Sequence, residues 1–176
     1  EVLDGQLVGS IPAFADRLFL WDSGSASYIN LYKNFGGVWV DESNNPATNE
    51  LYLGRGFWVQ NKQITNQTVV MVGDVEDSGA VTNILAPGFH IIAYPYSAPV
   101  ALNSSGLTNG NASIPAFADR LFVFNPVTSA YENYYLHLSR VWFDDLNQPA
   151  TLVLEPQIGF WYQNKAAGDF VWVENK

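Results

Sequence analysis

Short apolar-rich stretches, alternating as strands do, run the whole length of the chain and stop at Gly, Pro, Asn or Ser. In the first half this pattern predicts strands over residues 17–21, 27–32, 37–40, 56–60 and 68–72. In the second half it predicts them over 120–124, 130–135, 141–143, 159–163 and 170–173. A further strand over 88–96 ends at Pro95. No stretch carries a helical period. Residues 11–17 can form one helical turn after Ser10, with Pro12 near its start.

The two lists of strands are two copies of one pattern. Residues 10–62 align with 113–165 without a gap, and 27 of the 53 pairs are identical. The run Ser-Ile-Pro-Ala-Phe-Ala-Asp-Arg-Leu-Phe occurs at 10–19 and again at 113–122. Gly-Phe-Trp at 56–58 matches 159–161, and Gln-Asn-Lys at 60–62 matches 163–165. Tyr28, Trp39 and Asp41 match Tyr131, Trp142 and Asp144. Internal repetition of this kind marks repeated structural units. The predicted architecture is an all-β fold of about a dozen short antiparallel strands. They form two tandem homologous units, sandwich-like or barrel-like, over 1–80 and 81–176. The strand over 88–96 has no counterpart before the first copy. The first unit therefore reads as lacking its first strand, which another subunit could donate by strand addition.

Composition agrees with this picture and narrows the partners. At 48% hydrophobic and 15% aromatic, with 14 glycines and nine prolines, the chain has material for pleated surfaces and many turns. The formal charge of -9 with eight Lys and Arg disfavours nucleic acid as a partner. It leaves glycans and proteins open. With no cysteine there is no disulfide, thiolate metal site or thiol nucleophile. No apolar run is long enough for a membrane-spanning helix. A first residue Glu1, not Met, reads as a processed or trimmed chain. Glycosylation sequons begin at Asn66, Asn103 and Asn111, a number expected by chance in so Asn-rich a chain.

The order of motifs resembles a family of exported repeat proteins of environmental Gram-negative bacteria. The residues that carry the likeness begin with the Gly-Phe-x-Ile-Ile strand at 88–92 that runs on to Pro95, and with Leu-Phe-Leu-Trp-Asp at 18–22. Gly-Gly-Val-Trp at 36–39, Gly-Arg-Gly-Phe-Trp at 54–58 and Val-Gly-Asp-Val at 72–75 follow. The resemblance implies export and β-structure and no particular activity. The second copy departs from it: Ser139 and Arg140 replace the Gly pair, and Gln157 replaces the first Gly of the later motif. Those turns are expected to differ between the copies.

Candidate chemistry is sparse. Asp16-Arg17 and Asp119-Arg120 recur and could contact a polar ligand, but a structural pair is the stronger reading. Asp41-Glu42 and Asp144-Asp145 are adjacent loop carboxylates. Glycoside hydrolysis needs two carboxylates across the scissile bond, which neighbours in a loop rarely supply. Calcium could draw on Asn44 and Asn147, but the alternating acidic pattern of a calcium loop is missing. His90 and His137 do not repeat and lie in no triad or metal context. No catalytic residue, metal site or cofactor is assigned.

The aromatics are the best lead, since sugar rings stack on aromatic faces while Asn and Asp bind hydroxyls. Tyr28, Tyr32, Trp39 and Asn44 in the first copy, with Tyr131, Tyr135, Trp142 and Asn147 in the second, are the candidate ligand-binding residues. The tyrosines are expected to be partly exposed, and core packing is the stronger reading for the tryptophans. Function is read as a non-enzymatic extracellular structural or interaction module, secreted or at the cell surface. Such a module could assemble with itself, head to tail or by strand complementation, into a surface layer or filament. The alternative is a carbohydrate-binding module with an aromatic platform in each copy.

Overall fold

Along residues 17–22 Leu18 and Leu20 point to one side of an extended chain, and Arg17, Phe19 and Trp21 to the other. One row can be buried while the other faces outward, and both halves of the protein are built on this division. The computed structural model describes residues 7–66, 79–156 and 158–176. It is an all-β protein, with thirteen strands among the described residues in antiparallel sheets. By internal packing the chain divides into two compact units, one of 1–52 and 57–75, the other of 53–56 and 76–176.

In the first unit β1 (Arg17–Asp22), β2 (Ser27–Lys33), β3 (Trp39–Val40) and β4 (Trp58–Gln60) form a sheet in the order β3-β2-β1-β4. Its buried row is Leu18, Leu20 and Leu31, with Ile29, Trp39, Leu51, Phe57 and Val59 packed against it. The second unit holds β5 (Ala80–Leu85), β6 (Gly88–Ala93), β7 (Val100–Ala101), β8 (Arg120–Asn125) and β9 (Ala130–Leu136). It is completed by β10 (Trp142–Asp144), β11 (Val153–Leu154), β12 (Gly159–Asn164) and β13 (Phe170–Asn175). The main sheet runs β10-β9-β8-β12-β6, and β11 with β7 and β13 with β5 form two-stranded sheets. Trp142, Tyr162, Trp172, Leu102, Leu107, Leu121 and Leu136 are fully buried in its core.

Strands at matching positions pair alike. Phe19 stands opposite Asn30 and Trp58, as Phe122 stands opposite Asn133 and Trp161. The helical turn expected near residue 11 is a single turn closed by Ala15 N–H to Ile11 C=O at 3.0 Å, and Ala118 bonds Ile114 in the same way. Strands β5, β7 and β11 have no counterpart in the expected pattern. The expected strand over 68–72 and the Val-Gly-Asp-Val motif lie outside the described residues, as does Gln157.

Leu53–Gly56 belongs to the first copy by sequence but packs as part of the second unit. Gly56 N–H donates to Ile91 C=O at 3.0 Å and Ala93 N–H to Gly54 C=O at 2.9 Å, with Arg55 opposite Ile92. β6 thus has β12 along one edge and this segment along the other. A Cβ on Gly56 would lie 2.5 Å from Ile91 Cγ2 and 2.9 Å from Ile92 O, so close approach excludes a side chain there.

The turn at Ser139-Arg140 corrects one expectation. Arg140 has φ 59° where Gly37 has 77°. Asn34 and His137 bond Val38 and Val141 across the two turns in the same pattern. The turns are the same, and Arg140 takes the left-handed conformation that Gly37 takes without a steric cost.

Each unit is fastened by one buried aspartate. Asp16 and Asp119 have no exposed surface. Asp119 accepts from Asn111 N–H at 2.7 Å, Lys165 N–H at 2.7 Å and the Tyr162 hydroxyl. Asp16 accepts from Val8 N–H and Lys62 N–H, both at 2.8 Å. The copies differ in how the space beside the carboxylate is filled. Gly110 and Tyr162 surround Asp119: a Cβ on Gly110 would come within 2.5 Å of the Tyr162 hydroxyl oxygen. In the first copy Leu7, which is buried, stands where Gly110 is, and Val59 where Tyr162 is. The larger side chain stands at the first position in one copy and at the second in the other. Burial and the neighbouring Asp119 push the Tyr162 hydroxyl far above its ordinary range, so it stays protonated and donates to Asp119.

Grafting the first-copy pair onto the second unit tests this exchange. Gly110→Leu alone is expected to cost about 3 kcal/mol through overpacking, and Tyr162→Val alone about 3 kcal/mol. The double variant should recover at least about 1–2 kcal/mol of their sum, read by urea unfolding in a double-mutant cycle.

Glu174 supplies a second prediction. It is buried and accepts through Oε2 from Gly106 N–H at 2.9 Å and Trp172 Nε1–H at 3.0 Å. Burial raises its carboxyl above the ordinary 4.5, against the downward pull of those two donors. A raised folded pKa means stability present below the unfolded value and lost as pH rises through the folded one. Thermal melts should therefore fall as pH rises from about 4.5. Glu174→Gln, whose carbonyl can keep both donors, should flatten that dependence.

Candidate functional site

The outward rows of the two main sheets carry the aromatic residues that the cores leave over. On the first sheet Trp58, Phe19 and Asn30 stand side by side across β4, β1 and β2, with Trp21 opposite Tyr28 two residues further on. Tyr28 is 40% exposed and meets the edges of Phe19 and Trp21, with ring centres 6.1 and 5.1 Å away. On the second sheet Trp161, Phe122 and Asn133 form the same row, with Phe124 opposite Tyr131. Phe124 and Tyr131 are also exposed, with ring centres 5.5 Å apart. Phe89 on β6 extends this second face, 6.0 Å from Trp161 and 6.1 Å from Phe122.

Polar groups sit among the rings at matching places. Asn30 Nδ2 donates to Glu42 Oε1 at 3.3 Å, and Asn133 Nδ2 to Asp145 Oδ2 at 3.1 Å. Arg17 Nη1 lies 4.0 Å from Glu42 Oε1. Half-buried aromatic rings around a few fixed amide and carboxylate groups are the usual make-up of a site for an amphipathic ligand.

The candidate residues divide between this face and the fold. Tyr28 and Tyr131 are on the face and exposed. Tyr32 and Tyr135, expected to be partly exposed, are buried, at 5% and 7%. Their hydroxyls donate to Asn44 Oδ1 at 3.1 Å and Asn147 Oδ1 at 2.9 Å. Both asparagines have positive φ, 64° and 57°, and cap the turn after β3 and β10. In these turns Asp41 Oδ1 accepts from Ser43 N–H and Asn45 N–H, and Asp144 Oδ1 from Leu146 N–H and Gln148 N–H, all at 2.9 Å. The donors, Asn45 first, hold the Asp41 carboxyl below its ordinary value. These acids shape turns. Trp142 is fully buried in the second core, and Trp39 packs against the first. Tyr32, Tyr135, Asn44, Asn147, Trp39 and Trp142 therefore hold the scaffold, and Tyr28 and Tyr131 remain as ligand-facing positions.

Arg17 and Arg120 likewise bind the chain itself, through Pro12 C=O at 2.9 Å and Pro115 C=O at 3.1 Å. Asn103, in a sequon, is engaged on both atoms of its amide: it accepts from Trp142 N–H at 2.7 Å and donates to Ala150 C=O at 2.9 Å. Among the described residues no group of three His, Asp or Glu side chains converges on one point. Asn30, Asn133, Phe19, Phe122 and Phe89 were not singled out from the sequence as ligand-binding. The signal was there for Asn30 and Asn133, each an identical pair two residues past the matched tyrosine.

No protein-family model, curated protein or solved structure matches this chain.

Removing one scaffold bond should leave the face intact. Tyr135→Phe is expected to cost about 1 kcal/mol by urea unfolding, the net worth of one hydrogen bond, with near-ultraviolet circular dichroism of the folded protein little changed.

Proposed function

We propose that this chain is a non-enzymatic binding module whose two outer aromatic faces take up glycan chains. The observation that carries the reading is the repetition of one surface. Trp58, Phe19, Tyr28 and Asn30 with Glu42 recur as Trp161, Phe122, Tyr131 and Asn133 with Asp145. A sugar ring offers C–H groups on its face and hydroxyls at its rim. Exposed rings beside an amide–carboxylate pair match both. Two weak sites in one polypeptide raise avidity without either being tight. The net charge of -9 favours a neutral glycan over an anionic one.

The reading assigns no bond-breaking step. Among the described residues the acidic group placed at each face is Glu42 or Asp145, already held by an asparagine, whereas glycoside hydrolysis works with two carboxylates across the bond. An exported or cell-surface setting, where glycans are abundant, goes with this proposal, as does the resemblance to exported repeat proteins.

A glycan array followed by titration calorimetry on the best hit provides the test. Tyr28→Ala and Tyr131→Ala should each weaken binding by about tenfold, as truncation of an aromatic anchor does, and together abolish it. Melting temperatures should stay near that of the parent, because both rings are exposed. An array without hits, or hits indifferent to both substitutions, removes the proposal.

A further inference from the structure

Ten of the 27 identities between the copies fall in one unbroken run, 10–19 and 113–122. Most of its residues are needed by the fold. Ala15, Ala118, Asp16 and Asp119 have no exposed surface, and Leu18 and Leu121 are core. Pro12 and Pro115 present carbonyls to the two arginines. Two positions are not explained in this way. Phe14 and Phe117 are each 65% exposed, and Ile11 and Ile114 are 46% and 50% exposed. Surface side chains with no duty in the fold are free to diverge after a duplication, and these have not.

The turns that carry them are rigid. Besides the bonds from Arg17 and Arg120, Gln63 Nε2 donates to Phe14 C=O at 3.2 Å. In the second copy Lys165 Nζ donates to Ala116 C=O at 2.8 Å and Asn111 Nδ2 to Phe117 C=O at 2.8 Å. A pre-ordered apolar tip loses little conformational freedom on docking. The tips also gather cations. Of eight Lys and Arg in the chain, Arg17, Arg120 and Lys165 donate from their side chains to carbonyls of these two turns.

We propose that the Ile-Pro-Ala-Phe turns are docking elements for a second copy of this chain. An apolar tip with a cationic collar fits an apolar patch bordered by carboxylate, and a chain of charge -9 presents such a surface itself. Ile84 and Val171, paired across β5 and β13, are 68% and 52% exposed, with exposed Asp169 just before β13. The contact joins unlike surfaces, so it propagates from copy to copy. It is independent of glycan binding.

Sedimentation velocity of the full chain, run from dilute to concentrated solution, tests the assignment. The parent is expected to associate with rising concentration, less so in high salt. Phe14→Ser with Phe117→Ser, and separately Ile84→Ser, should each weaken association by about tenfold or more, with unchanged far-ultraviolet circular dichroism. A parent that stays monomeric throughout overturns the proposal, as does association that survives either variant. Co-sedimentation with phosphatidylcholine vesicles that depends on Phe14 and Phe117, without self-association, would overturn it in favour of a lipid surface.

Discussion

A carboxylate sealed inside each unit governs the rest. Asp16 and Asp119 sit where the repeated turn meets the first long strand of each copy, and each collects backbone N–H groups from two segments far apart in the chain. Val8 and Lys62 are brought together by Asp16, and Asn111 and Lys165 by Asp119. A buried charge is tolerated only when its acceptor sites are filled, so the chain must bring those segments to it. Once they are placed, β1 lies beside β4 and β8 beside β12, and the inner and outer rows of each sheet are decided. The aromatic faces and the Ile–Phe tips both follow from this one arrangement.

Much of the fold was legible because it rests on patterns local to the chain. Alternation and turn residues marked β1, β2, β8 and β9 closely, and the helical turn after Ser10 could be read from Pro12. What escaped was set by distant partners. β5 has a mixed, mostly exposed or half-exposed sequence and becomes a strand by pairing with β13. β7 and β11 have only two residues each and exist as each other's partner. Ser139-Arg140 looked unlike Gly36-Gly37, yet the hydrogen bond from His137 to Val141 imposes the same backbone.

The candidate site was legible in kind but only partly in membership. Aromatic residues and asparagines were the right types. Tyr32 and Tyr135 were misplaced because strand parity gives a face, not a depth: the turns over 11–15 and 114–118 and strands β3 and β10 cover the end of the face where these rings lie. Asn44 and Asn147 looked like ligand donors and are turn residues held by tyrosine hydroxyls. Asn30 and Asn133 acquire significance only when Glu42 and Asp145 return to them across the sheet.

The pairing of Leu53–Gly56 with β6 bears on how such a protein can be divided. By sequence the repeat begins and ends cleanly, but its hydrogen bonds do not respect that frame. A fragment starting after the first copy would leave the outer edge of β6 bare around Ile91 and Ile92, an apolar strand edge of the kind that recruits other chains. The heritable unit and the foldable unit are offset from each other. The first copy lends four of its residues to the sheet edge of the second unit.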